Sequence, residues 1–367
     1  MSSSLSRAAT LLAVLLVSGG ALTAQTPAAD SAAAAELAAL RAAAAGATAS
    51  ADTSTAPRQA KLGANAMNPE ISVTGDFRMN AYRPDPQVDN FVAREFEVGF
   101  QSALDPFSTA KVTLSIEDGV ASIEEGYLYF TALPGHLRVD LGRFRQQVGE
   151  LNRWHLHALS TDEYPLVVRR FGGDDGIAGD GASVYWPLPF SGKAGTYELT
   201  VQGTTGENDV LFAGRRRPAI NAQLSGFWQL SRSTFAQVSV SALHGTAPGT
   251  ATDTGFTTDL TVAAARFTWR PPQQGQAREF TLRGEYWGLK RAFDVGGFDA
   301  TRHGGYADAT WKLDRRWVAG IRGDYVEAVD PALDSHEWAI TPSLTFWQSE
   351  FVFLRGLYEH ARGLDAA

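Results

Sequence analysis

From Asn68 onward, apolar and polar residues alternate along the chain. "EISVTGDFRMN" sets Ile71, Val73 and Phe77 on one side and Ser72, Thr74, Asp76 and Arg78 on the other. "AKVTLSIED" repeats the pattern with Val112, Leu114 and Ile116 against Lys111, Thr113, Ser115 and Glu117. "GTYELTVQG", "AQVSVSA", "EFTLRGEYW" and "WAITPSLTF" follow suit. A period of two predicts strands with one apolar and one polar face. About fifteen such segments can be counted, each roughly ten to thirteen residues long. Strands of globular domains average about five or six residues. Strands that cross a hydrocarbon layer at a tilt need about nine to eleven.

The connections alternate in length. Tight links such as "DPFS", "LPG", "LSRS", "LDRR" and "WQSE" take turns with longer ones such as "RPDPQVDN", "GENDVLFAGRRRP", "HGTAPGTATDTG" and "EAVDPALDS". Only "IEDGVAS" is short where a long link is due. Short turns at one end and long loops at the other describe a bacterial outer-membrane barrel. Aromatic residues fall near the predicted strand ends: Phe130, Trp186, Trp228, Trp269, Trp311, Trp317, Trp347 and Tyr358. Girdles at the two water interfaces would have this composition. The fold class is therefore all-β: a transmembrane antiparallel β-barrel over residues 67–367, of about sixteen strands.

The segment before the barrel has a different texture. "MSSSLSRAATLLAVLLVSGGALTAQ" carries one positive charge, Arg7, then an apolar stretch and small residues. This predicts a secretory signal over residues 1–24, cleaved after Ala24. "DSAAAAELAALRAAAAG" predicts a short helix capped by Asp30 or Ser31 and stopped by Gly46, followed by a linker to about Ala66. Residues 25–66 thus form a periplasmic helix and linker.

Composition narrows the function. The chain has 367 residues, no cysteine, and a net charge of −8. No disulfide framework or zinc–thiolate site is available. The acidic balance excludes a general nucleic-acid surface. Partners expected from a barrel are outer-membrane lipid and lipopolysaccharide, small solutes or ions, and two further copies in a homotrimer.

Several stretches carry a resemblance: "MNPEISVTGDF", "EEGYLYFTALPGHLRVDLGRFR", "GELNRWHLHALSTDEYPL" and "GDDGIAGDGASVYWPLP". Through them the chain resembles the phosphate-selective porin O/P family. More closely, it is similar to a group labelled zinc-regulated TonB-dependent outer-membrane receptors. The resemblance implies a sixteen-stranded outer-membrane barrel with a small N-terminal helical segment. It also implies a last strand ending on an aromatic residue, whereas this chain ends "LDAA". Barrels of this type have even strand numbers, so the sixteenth strand is expected to be missing, unless the count is off by one. TonB-dependent transporters carry a plug inside about 22 strands. Only about forty residues lie between the signal and the first strand here, which favours a porin.

Phasing the strands places Arg78, Glu97, Arg138, Asp140, Glu198, Asn221, Gln223, Arg266, Arg283, Glu285, Asp308, Arg322, Asp324 and Arg355 inward. Either these pair among themselves, or arginines gather at a constriction and favour anions. The constriction candidates are Arg138, Arg143, Arg145, Arg153, Arg169 and Arg170. The longest stretch without periodicity, "GELNRWHLHALSTDEYPLVVRRFGGDDG", is expected to be a loop that narrows the pore. Within it, His155 and His157 could ligate zinc with Asp162 or Glu163 as the oxygen donor, or simply pack. No cofactor is otherwise implied. No GxSxG, HExxH, P-loop or dinucleotide motif stands in a suitable context, so an enzyme is not expected. The leading expectation is a porin-like channel for small hydrophilic solutes, with a receptor-like or zinc-related uptake barrel as the alternative.

Overall fold

The computed structural model describes residues 10–18, 69–80, 91–190, 195–250 and 253–363. Sixteen strands form one closed antiparallel barrel in which each pairs with two neighbours. They are β1 (Thr10–Ser18), β2 (Glu70–Asn80), β3 (Phe91–Asp105), β4 (Ser108–Glu117), β5 (Val120–Leu133), β6 (Leu137–Arg145), β7 (Ala178–Pro187) and β8 (Thr196–Gly206). The second half comprises β9 (Arg217–Gln229), β10 (Thr234–Ala247), β11 (Phe256–Trp269), β12 (Glu279–Phe293), β13 (Asp299–Lys312), β14 (Trp317–Glu327), β15 (His336–Trp347) and β16 (Val352–Arg362). Two short helices, α1 (Leu166–Gly172) and α2 (Asp209–Phe212), lie in the loops after β6 and β8. The helix and linker expected over 25–66 lie outside the described residues.

The fifteen strands from Glu70 onward are those the alternation predicts. A sixteenth strand pairs with both edges, but it comes from the N-terminal stretch and not from the C-terminal end, where the missing strand is expected. It is β1, drawn from the apolar stretch expected to be the export signal, and its backbone pairs with both β16 and β2. Its sequence, TLLAVLLVS, has none of the polar alternation of the other strands. An open edge between β2 and β16 would leave backbone groups in hydrocarbon without partners, and β1 fills that gap.

Burial is inverted relative to a soluble protein. Ile71, Ile220, Val240, Ile321 and Leu354 are exposed, whereas Asn221, Thr258, Asp308, Arg322 and Arg355 are buried. The apolar face looks outward to lipid, and the polar face lines the lumen. It is an outer-membrane β-barrel. Trp186, Trp269, Trp311 and Trp317 are solvent-accessible at the tight-turn ends of β7, β11, β13 and β14. Exposed Phe91, Phe298 and Tyr325 stand at the long-loop end. Tyr358, expected at an end, sits midway along β16.

The one short link on the long-loop side is explained by its turn. Asp118 and Gly119, with φ of 49° and 77°, join β4 to β5. Positive φ at both central residues is the hairpin geometry that matches strand twist, and Asp-Gly is suited to it.

Register shifts interrupt the ladder at four places among the described residues, and two of them are bulges that bear on the lumen. Between β2 and β3 the register runs Asp76↔Glu95 and then Phe77↔Ala93, so Arg94 is the extra residue. Between β4 and β5 it runs Thr113↔Glu125 and then Leu114↔Ile123, so Glu124 is extra. A bulge breaks strict alternation and re-aims side chains.

Ile321, near the middle of β14, tests the membrane placement. Ile321→Arg is expected to cost about 2–4 kcal/mol of folding stability in lipid vesicles, the depth-dependent penalty for a charge at the midplane. Denaturant titration of the vesicle-folded protein measures it.

Candidate functional site

The segment Gln146–Ile177 does not project outward from the barrel; it folds into the lumen. Asn152, fully buried, fastens its two ends together. Its Nδ2 donates to the carbonyls of Gln146 and Ile177, both at 2.8 Å, and its Oδ1 accepts from the Ile177 N–H at 2.7 Å.

Polar side chains of the wall then take up the loop's backbone. Gln202 of β8 accepts from the Gln147 N–H at 2.7 Å, and Asn221 of β9 donates to the Gln147 carbonyl at 2.9 Å. Gln223 donates to the Gly149 carbonyl at 2.7 Å. Glu285 of β12 accepts from the N–H groups of Glu150 and Leu151 at 2.9 and 3.0 Å. Gly149 has φ of 63°, and a Cβ there would collide with the Glu285 carboxylate, so only glycine fits.

The second half of the loop reaches the opposite wall, where four arginines hold it. Arg355 of β16 donates to the carbonyls of Leu159 and Thr161 at 2.8 and 3.0 Å. Arg322 of β14 donates to the Glu163 carbonyl at 2.8 Å and to the Thr161 hydroxyl. Arg78 of β2 and Arg94 of β3 both donate to the Asp162 carbonyl, at 2.7 and 2.8 Å. The Leu166 N–H at the start of α1 donates to Asp324 at 3.1 Å. Beneath these contacts, Val167, Val168 and Phe171 pack with Leu211, Phe212, Trp287, Leu289 and Val326 in an apolar core inside the barrel. The loop therefore bridges the lumen from β8–β12 to β14–β3.

The six candidate arginines do not gather into one ring. Arg138 pairs with Asp140 at 2.7 Å near the tight-turn end, over the Tyr129 ring. Arg143 pairs with Asp180 and Glu207 toward the long-loop end. Arg145 is buried, bound to Glu124, to the Tyr164 hydroxyl at 2.9 Å and to the Asp175 carbonyl at 2.6 Å. Arg153 lies in the 3-10 turn Leu151–Arg153. On α1, Arg169 approaches Glu163 at 3.9 Å and Arg170 binds Glu337 of β15 at 2.9 Å.

The metal candidates are regrouped as well. Asp162 does not join the histidines: its carboxylate lies 3.5 Å from Arg78, and burial raises its pKa against the opposing pull of that guanidinium. Glu163 binds Arg78 at 2.7 Å. His155 and His157 instead face carboxylates of the wall that stand far from them in sequence. His155 Nδ1 is 2.7 Å from Glu124 and 2.9 Å from Glu97, and its Nε2 is 3.2 Å from Glu125. His157 Nδ1 is 3.2 Å from Glu97. Burial lowers the pKa of His155, but the Glu125 and Glu97 carboxylates beside it more than reverse this and hold it above the ordinary histidine value. Glu124 and Glu125 are consecutive, and only the bulge at Glu124 lets both reach the lumen.

The remaining histidines offer no lumenal pair among the described residues. His244 meets Asp259 at 2.6 Å, but both are exposed on the outer wall. His303 meets the Tyr286 hydroxyl at 2.7 Å, also outside.

Comparison with known proteins agrees with the architecture. A porin described as anion-selective, from Comamonas acidovorans, superposes with a TM-score of 0.54 at 13% identity, covering 98% of this chain and 91% of its own. OmpT, an outer-membrane protein of Vibrio cholerae, gives 0.50 at 8% identity, covering 83% and 99%. In sequence, an uncharacterized protein of Aquifex aeolicus is 24% identical over 283 residues, which is 70% of this chain and 59% of that protein. The chain thus spans about three fifths of that relative's length. No family model matches, so the fold is that of a porin without the porin O/P or TonB-receptor assignment being established.

Asn152→Ala removes three buried hydrogen bonds at the loop's neck. An unsatisfied buried group costs about 1–3 kcal/mol, so a destabilisation on the order of 3 kcal/mol is expected. Proteolytic cleavage within residues 146–177 of the folded barrel should accelerate accordingly.

Proposed function

We propose that the chain is a passive outer-membrane channel that admits small hydrophilic solutes and prefers anions. The observation that carries this reading is the lumen itself: a polar-walled barrel narrowed by its own inward loop, the arrangement of a diffusion pore. The loop's attachment by buried hydrogen bonds on two opposite walls makes the constriction a fixed feature.

The anion preference rests on an asymmetry among the ion pairs. Arg170 is 41% exposed and its partner Glu337 7%. Lys111 is 31% exposed against 8% for Glu125, and Arg138 33% against 17% for Asp140. In these three pairings the cation is the more exposed member, whereas at Glu163 (30%) the carboxylate is more exposed than its partners Arg78 (11%), Arg94 (17%) and Arg169 (23%). Charged groups lining a pore set its selectivity. The Comamonas porin of the same fold is itself anion-selective.

The test is single-channel recording in planar bilayers. A steady open conductance is expected, with a reversal potential in a salt gradient that reports anions as the more permeant species. Lys111→Gln/Arg170→Gln is expected to shift that potential toward cation permeation. Cation selectivity in the wild-type channel would remove the preference, and silence would remove the channel reading.

We also propose that residues 1–24 direct export and are removed. Cleavage would take β1 away, and the edges of β2 and β16 would then need other backbone to pair with, because lipid cannot satisfy them. N-terminal sequencing of protein taken from outer membranes is expected to begin at Gln25; a start upstream of Thr10 would show β1 to be retained as the seam strand.

A further inference from the structure

We infer that Glu97, Glu124 and His155 form a binding site for a divalent transition-metal cation, with His157 beside it. The donor atoms of the first three all lie within 4.8 Å of one another. Oxygen and nitrogen ligands of a zinc-like ion stand about 2.0–2.2 Å from it, which places them about 3.3 Å apart around a tetrahedron. His155 Nδ1 stands 2.9 Å from Glu97 and 2.7 Å from Glu124, so these two pairs would open by about half an ångström around an ion.

Three features beyond proximity point to a cation. The first is convergence. Glu97 Oε2 faces the Nδ1 atoms of both His155 and His157, at 2.9 and 3.2 Å. Yet Glu97 Oε2 and His157 Nδ1 are buried without a hydrogen-bond partner. They approach closely but are misaligned for bonding to each other, as ligands are when they aim at a common point between them.

The second is an outer layer of support. Metal-binding histidines commonly donate their other ring N–H to a carboxylate, which fixes the ring and its tautomer. With His155 Nδ1 turned to the cluster, its Nε2 lies 3.2 Å from Glu125. Glu125 is held in turn by Lys111 at 2.7 Å, and Glu124 by Arg145. Each proposed ligand except Glu97 thus has a partner that orients it.

The third is backbone geometry. Glu124 is the bulged residue of β5, and the bulge turns it into the lumen beside Glu125. Without it, adjacent residues would face opposite sides of the wall.

Imidazole with two carboxylates and no thiolate suits zinc and its neighbours better than calcium or magnesium, which prefer all-oxygen sites. A bound dication would join β3 and β5 to the loop. The inference stands apart from the channel reading, since binding is measured without conductance.

The experiment uses the full chain folded in detergent micelles at neutral pH. Equilibrium dialysis against Zn2+ is expected to give one saturable ion per chain, and Co2+ a visible absorption band of nitrogen–oxygen coordination. Glu97→Gln/Glu124→Gln should lower Zn2+ affinity at least tenfold. Glu125→Gln, which touches only the supporting layer, should weaken it about 10–100-fold. Circular dichroism checks that each variant keeps its β-sheet; should the double variant fail to fold, His155→Asn replaces it. Absence of saturable Zn2+ binding by the wild-type barrel would overturn the inference, as would affinity unchanged in folded variants.

Discussion

A hydrocarbon layer offers no hydrogen-bond partner, and the rest of the structure depends on that constraint. Backbone N–H and C=O groups must all be paired within the sheet, so the sheet must close. Closure fixes one face toward lipid and the other toward the lumen, and the pleat then sorts the chain residue by residue. Leucines and isoleucines end up exposed, arginines and aspartates buried. The ion pairs Arg283–Asp308 and Arg322–Asp324, at 2.9 and 2.7 Å, are consequences of this sorting. Charges forced onto an inner wall satisfy each other or satisfy whatever enters.

What enters here is the chain's own loop. A segment of irregular backbone placed in a barrel brings unpaired peptide groups with it, and each must be matched. The wall meets this need with two chemistries. On the β8–β12 side, neutral amides and one carboxylate bind the loop's backbone between Gln147 and Leu151. On the other side, guanidiniums of Arg78, Arg94, Arg322 and Arg355 bind carbonyls between Leu159 and Glu163. A charged donor makes a stronger bond than a neutral one. The apolar core around Phe171 and Trp287 supplies a third hold. Few ways remain for such a loop to leave the lumen.

The alternation of the sequence made most of the wall legible, because a period of two assigns every side chain to a face once the strand is phased. Asn221, Gln223, Arg283, Glu285, Asp308, Arg322, Asp324 and Arg355 all lie buried on the inner face, as that phasing predicts. Where the period breaks, legibility ends. Arg94 and Glu124 are bulged residues, and nothing in "FVAREFEVGF" or "VASIEEGYLYF" marks which position will be extra. The histidines are visible as a pair, but their carboxylates come from β3 and β5. Glu124 lies 31 residues upstream of His155, and Glu97 further still. A loop's tertiary partners depend on where it lands across the lumen, and neither local spacing nor propensity encodes that. Asp162 is nearer in sequence, yet it goes to Arg78 instead. The N-terminal stretch shows the converse difficulty: an apolar run suits both an export signal and a strand that pairs by backbone alone.

The net charge of −8 argues for cation preference only if all charges are counted alike. In a pore they are not. A carboxylate buried behind its partner contributes to the field mainly as half of a dipole, while the guanidinium nearer the water sets the local potential felt by a passing ion. Arg170 over Glu337 and Lys111 over Glu125 are such dipoles, cation outward. Near His155 the balance is different, because three carboxylates converge there with Arg145 and Lys111 tied to two of them. A dication held at Glu97 and Glu124 would more than offset the one negative charge that remains at that point of the wall. The proposed anion preference and the proposed metal site would then act in the same direction, each making the inner wall more positive than the composition of the chain suggests.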